Sequence, residues 1–364
     1  MSPQMRRVEQ AGLEAIKRQG QPYTYGIPDF FEPVAQLKKA FSDLVEADDQ
    51  ERIAIIPSTS YGLANVANNL NLKKGDQILV IDEQFPSNIY PWMSVADRVG
   101  AEVIVIPTPE STVNKGRHWN EKILASITDQ TALIAIGHVH WTDGLLFDLA
   151  AIRKKTWEHN ALLVVDGTQS VGALPFSIKE FQPDALICSG YKWLMGPYSI
   201  GLAYYGTSFD GGKPIEENWI NRMKSDDFAQ LVNYQSQYRP KASRYSVGEQ
   251  SNFILVPMML AAIEQLLDWG VTNIQDYCRT ITKTTIAALR DIGLQIAPDD
   301  QRSAHLFGIH LDDTIDRDRL QQAFQDKKVW ISYRGNALRV GPNVYNNTQD
   351  VEKLVDCLKV SKKY

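Results

Sequence analysis

Between about residues 33 and 206, short continuous apolar runs alternate with stretches whose apolar positions recur every three to four residues. The runs predict strands at 52–57, 77–81, 102–106, 131–139, 161–165, 185–188 and 201–205. The helical spacing predicts helices at 60–70, 88–99, 120–127 and 147–159. Strand and helix in alternation specify an α/β domain around a seven-stranded, mostly parallel sheet. The pattern then changes. Residues 208–250 are polar, rich in Gly, Asn, Ser and Arg, and without a sustained period, which predicts loops. A long helical stretch, 256–289, is broken near Gly270; strand-like pieces at 304–311 and 330–333 flank a helix at 318–327, and a helix at 348–359 follows. We therefore expect a large domain over 30–251 and a smaller α+β domain over 252–364, with the helical-spaced residues 1–29 packed on it. No internal repeat or low-complexity segment interrupts this plan.

Composition narrows the class of protein. Of 364 residues 44% are apolar and 22% charged, which is ordinary for a folded globular chain. The net charge of −5 and the absence of long runs of like charge argue against nucleic-acid binding. Cys188, Cys278 and Cys357 are odd in number, far apart and in no metal-ligand spacing, so neither a disulfide framework nor a metal site is expected. A reducing, cytoplasmic location fits that usage. The first twenty residues lack the apolar core of a signal peptide, and the longest apolar run, 253–263, falls well short of the roughly 20 residues of a membrane helix. No membrane association is expected.

Ligands of open parallel sheets sit beyond the carboxyl ends of the strands. Five segments at such places carry chemistry. PSTSYGLAN (57–65) is a hydroxyl-rich turn entering a helix, suited to an anion and equally to an ordinary N-cap. DEQFPSN (82–88) presents Phe85, a stacking face or a packed loop aromatic. In DGTQSVG (166–172) an aspartate leaves a buried strand and must be paired, solvated, capped or ligand-bound. LICSGYKWLMGP (186–197) places Lys192 after a strand, where a lysine is usually just surface. ALRVGPNVY (337–345) holds Arg339 in an apolar run, a carboxylate clamp or an edge arginine. Together they offer a phosphate cradle, a stacking face, an anion, a lysine and a carboxylate fork. Pyridoxal 5′-phosphate needs that combination.

The order and spacing of these segments, above all the DGTQSVG and SGYKWLMGP pair, resemble the class V aminotransferase family of fold-type I pyridoxal-phosphate enzymes. Cysteine desulfurases, selenocysteine lyases and isopenicillin N epimerase-like proteins are among its members. The resemblance spans about residues 25–360. It implies Lys192 as the Schiff-base lysine, Asp166 on the pyridine nitrogen and Gln169 on the ring hydroxyl. It also implies a phosphate cradle of Thr59 backbone, Ser60, Ser189 and Tyr191, with Tyr191 in place of a histidine. Phe85 stacks on the ring, again replacing histidine, and Trp141 in HVHWTDG (138–144) replaces an asparagine. RYSVGEQ (244–250) matches the segment that reaches a neighbouring subunit's phosphate; Glu249 replaces threonine, leaving backbone contact such as that at Gly248. Arg339 matches the arginine for the substrate carboxylate. A homodimer with shared sites and no metal is implied.

The resemblance also bears on the reaction. Desulfurases of the family carry a cysteine on a mobile loop before that arginine, but VWISYRGNALR (329–339) is short and has none. With Phe85 unable to move protons, Lys192 is the main acid/base, which suits transamination with a keto-acid acceptor. The alternatives are a cysteine or selenocysteine β-lyase, an amino-acid epimerase with Tyr191 assisting, and a cofactor-binding protein without turnover. Arg334 is either a second clamp for a dicarboxylic substrate or a solvated loop arginine.

Overall fold

In the computed structural model, which describes residues 1–111 and 113–363, the seven apolar runs assemble into one sheet. Helices α1 (Arg6–Gln19) and α2 (Glu32–Leu44) precede β1 (Ile53–Ile56) and α3 (Thr59–Asn68). Then come β2 (Gln77–Ile81), α4 (Tyr90–Val99), β3 (Glu102–Ile106), α5 (Lys115–Ser126), β4 (Thr131–Gly137) and α6 (Leu149–Glu158). The series ends with β5 (Leu162–Asp166), the short α7 (Ile178–Phe181), β6 (Ala185–Ser189) and β7 (Gly201–Tyr205). The strand order is β1-β7-β6-β5-β4-β2-β3, with β7 antiparallel to both neighbours and the other pairs parallel. Strands covered by helices on both faces have no polar face to show, so β1 and β6 are buried at every residue. On one face Ile56, Val80, Ala135 and Ile187 pack with Leu63 of α3 and Trp92 of α4.

By contacts the chain divides into two compact units. The first comprises Met1–Thr108, Lys122–His138 and Asp148–Trp269; the second comprises Pro109–Glu121, Val139–Phe147 and Gly270–Tyr364. Residues 1–29 and 252–269, expected with the smaller domain, therefore belong to the first unit. Their packing gives the reason. Helix α1 lies along α8 (Leu255–Trp269), where a side chain at Gly12 would meet Met258 Sδ at 2.9 Å, and Arg7 pairs with Asp268 at 2.7 Å. One of the breaks between units falls at Gly270, which separates α8 from α9 (Val271–Asp291) and has a φ of 76° that favours glycine.

The second unit holds α9, β8 (Phe307–His310), α10 (Arg317–Lys327), β9 (Ser332–Arg334), β10 (Ala337–Val340) and α11 (Thr348–Val360). Its three strands form an antiparallel sheet in the order β8-β10-β9, and Phe307, Leu338, Leu320 and Leu358 make its core. Among the described residues no helix is long and apolar enough to cross a membrane.

Candidate active site

In the first unit the ends of β1, β5 and β6 bring together the hydroxyl-rich turn, the aspartate and the lysine segment. Ser58 caps α3 by accepting the Tyr61 N–H, so the opening turn of that helix presents its backbone donors beside Ser60, whose hydroxyl lies 2.9 Å from that of Ser58. Thr59 points inward instead. Its hydroxyl bonds Ser189 Oγ at 2.7 Å and lies 3.3 Å from Thr168 Oγ1, which accepts the Ser189 N–H at 3.1 Å. A buried hydroxyl cluster thus fastens the start of α3 to the ends of β5 and β6. Thr168 was missing from the expected site. The signal was its place between Asp166 and Gln169.

Asp166, the last residue of β5, accepts the Thr168 N–H at 3.0 Å and forms no ion pair among the described residues. Burial raises its pKa; hydrogen bonds from Thr168 and the charge of Lys192 work against that rise. Gln169 is buried and its amide oxygen accepts the Trp193 Nε1–H at 3.0 Å, which fixes the amide plane. Lys192 Nζ stands 5.2 Å from the Phe85 ring centre and 5.8 Å from that of Tyr191. Burial, together with Tyr198 and Asp166, also raises the Tyr191 phenol, against a hydrogen bond from Ser189, so that side chain is a proton donor at neutral pH.

The turn carrying Lys192 is held from outside as well. Ser2 Oγ donates to the Lys192 carbonyl at 2.7 Å and the Ser2 N–H to that of Tyr191 at 3.2 Å. In the 244–250 segment the Gly248 N–H donates to Glu216 Oε2 at 3.2 Å, and Tyr61 donates to the same oxygen at 3.0 Å. Glu216 therefore already engages the backbone group expected to serve a neighbouring phosphate, whereas Glu249 is exposed. Nothing in the polar 208–250 stretch singled out Glu216.

Trp141, Arg334 and Arg339 lie in the second unit. The Trp141 turn is braced by Asp143, which accepts from Lys115 Nζ at 2.9 Å and lies 2.8 Å from His140 Nδ1. Burial would raise the Asp143 carboxyl, but His140 and Lys115 outweigh it and hold the group well below the usual range. Arg339 Nη1 donates to the Trp141 carbonyl at 3.4 Å, and the Arg334 guanidinium stands 5.5 Å from the Trp141 ring centre.

Residues 28–354 match the family described as Aminotransferase class-V. The chain belongs to that family. It is a pyridoxal-phosphate-dependent enzyme of the aminotransferase class-V family, with the fold-type I architecture. The protein named "Uncharacterized aminotransferase YcbU" of Bacillus subtilis (strain 168) is 29% identical over 332 residues, 88% of this chain and 81% of that one. A cysteine desulfurase of Escherichia coli O127:H6 is 28% identical over 276 residues, 74% of this chain and 65% of that protein. Among solved structures, the cystine C-S lyase C-DES with its product cysteine persulfide superposes with a TM-score of 0.86 at 17% identity, over 99% of this chain and 95% of that one. A cysteine desulfurase from Thermococcus onnurineus NA1 gives 0.81 at 19%, over 99% and 92%. At such identities the likeness speaks for the fold.

The residues present fit the cofactor. A half-buried carboxylate without an ion pair suits a protonated ring nitrogen, the α3 amino end with Ser60 suits a phosphate, and Phe85 beside Lys192 Nζ supplies a ring face next to the amine.

Proposed function

We propose that this enzyme is an aminotransferase for a small free amino acid with a keto acid as acceptor. The supporting observation is the state of its thiols. All three cysteines are free and buried, with burial pushing the Cys278 thiol up to about 12 and the Cys188 thiol well above its ordinary value. The Cys357 thiol is raised by the same cause. A persulfide-forming cysteine must be an accessible thiolate, and the β9–β10 hairpin before Arg339 contains no cysteine at all.

When bound, pyridoxal phosphate supplies an aldehyde for amino groups and a ring that takes up the electron pair left when Cα loses its proton. In this proposal Asp166 keeps the proton on the ring nitrogen and Gln169 steadies the ring hydroxyl. Ser60 and the Thr59 backbone hold the phosphate, with Ser189 and Tyr191 completing that side. Phe85 covers one ring face, and Trp141 is assigned to the cofactor as well. Lys192 Nζ moves the Cα proton, and Arg339 grips the α-carboxylate. The enzyme works in the cytoplasm as a homodimer in which the 244–250 segment, through Gly248 and Glu249, reaches the partner's cofactor. β-Elimination is the second reading, since a ring that takes up the Cα electron pair also serves the loss of a β-substituent.

Purified protein incubated with L-amino acids, with and without a keto acid, separates the two. Transamination gives stoichiometric new amino acid only when the keto acid is present. Keto-acid-independent release of ammonia or sulfide rejects it in favour of the lyase. Lys192→Ala is expected to lower turnover by about 10²–10⁴-fold, the usual loss of a general acid/base.

A further inference from the structure

The β9–β10 hairpin carries more positive charge than one carboxylate needs. Its two strands are joined by Gly335 and Asn336, with Gly335 at φ 56°, and Arg334 pairs with Ala337 while Arg339 pairs with Ser332. Residues two apart on a strand share a face, so Arg334 and Arg339 are diagonal neighbours on one side of the hairpin. Such neighbours stand about 7–8 Å apart at their backbones. Both guanidinium groups converge on Trp141, one through its carbonyl and one beside its ring.

Neither arginine forms an ion pair with an acidic residue among the described residues, and the Arg334 Nε is buried without a hydrogen-bond partner. Arg334 Nη1 donates to the Tyr333 carbonyl at 2.6 Å. Burial lowers the Arg339 pKa, and the charge of Arg334 lowers it further. Two partly buried like charges on one face cost free energy unless anions occupy the donors. One α-carboxylate satisfies one fork. The second fork calls for a second anionic group on the same molecule.

We propose that Arg334 and Arg339 form a two-carboxylate clamp, making the substrates an acidic amino acid and its dicarboxylic keto acid. The inference rests on the reading of Arg339 as the α-carboxylate ligand, and it names what that reading leaves open. Four- and five-carbon dicarboxylic acids have the span to bridge two diagonal forks, whereas a neutral amino acid leaves Arg334 unmatched. Trp141 adjoins both guanidinium groups, and its ring beside Arg334 offers an apolar face to a methylene chain.

The test uses inert acids, so that binding is read without turnover. Calorimetry of the cofactor-loaded protein compares glutarate with butyrate in the wild type, Arg334→Gln and Arg334→Lys. We expect wild type to bind glutarate at least about tenfold more tightly than butyrate, the scale of one charge-assisted fork. Arg334→Gln removes that preference by weakening glutarate alone, and Arg334→Lys, which keeps the charge without the fork, falls between. A wild type that binds both acids equally, or an Arg334→Gln variant that weakens both alike, overturns the clamp. A protein that discriminates the two acids yet transaminates nothing retains the clamp and loses the proposed reaction; a transaminase without discrimination does the reverse.

Discussion

Lys38 shows how one buried side chain sets a pH response. Its Nζ donates to Ser243 Oγ at 2.9 Å, and that hydroxyl donates to Glu51 Oε2 at 3.0 Å, tying α2 to the segment that leads into residues 244–250. Burial pushes the ammonium down to about 8 from an ordinary 10.5; Glu51 pulls it up and Arg239 adds to the fall. The folded value is the lower one, so between roughly pH 8 and 10.5 the unfolded chain binds more protons and stability rises with pH. Below that window the penalty for the buried charge is present in full and constant. Lys38→Met lacks the group. Urea unfolding at pH 7, 8, 9 and 10 should therefore show the wild type gaining on the variant above pH 8, by on the order of 2–3 kcal/mol across the window. Parallel curves would refute the assignment.

Among the elements, the turn after β6 depends on glycine for its close packing. A Cβ at Gly190 would lie 2.4 Å from the Ile200 carbonyl oxygen and 2.9 Å from Met259 Sδ of α8, neither of which has room to yield cheaply. Gly190→Ala must shift the strand end that presents Ser189 and Lys192. We expect a loss of about 1–3 kcal/mol from overpacking, together with at least tenfold weaker cofactor retention on dialysis. Gly211→Ala, where nothing lies within 4 Å, should change neither. Elements of this kind were legible in the sequence to different degrees. The sheet was readable because strands buried on both faces are continuous apolar runs, and β2 and β7 fall where those runs do. Helix α2 escaped although Val34, Leu37, Phe41 and Leu44 recur at helical spacing, because charged and polar residues dilute the signal. The strand ends pointed to the segments that carry Asp166 and Lys192, and the family resemblance supplied the roles expected of them. Thr168 and Glu216 were not, since each acts through a hydrogen bond to a residue distant in sequence, Ser189 in one case and Gly248 in the other.

For the molecule as a whole, the unit boundaries lay beyond sequence pattern because contacts define them. Residues 109–121 and 139–147 leave the sheet-forming stretch to join the second unit, and no composition shift marks either departure. Surface chemistry gives the other molecular-scale argument. In the first unit, Trp219, Met223 and Val232 are exposed, and Tyr234 is 96% exposed, within the same polar stretch that leads to Gly248. Trp219, Met223, Leu231 and Tyr234 line one surface depression, and large apolar side chains exposed together suit a face that a partner covers. The proposed homodimer supplies that partner. Sedimentation of the cofactor-loaded enzyme should give twice the mass of one chain. The double variant Val232→Glu, Tyr234→Glu, which places charge on this face and touches no residue assigned to the cofactor, should move the protein toward monomer. If 244–250 completes the partner's site, that variant must also lose cofactor faster on dilution. A wild type that sediments as a monomer with full cofactor occupancy would show instead that each chain completes its own site, with Glu216 fixing Gly248 for its own subunit alone.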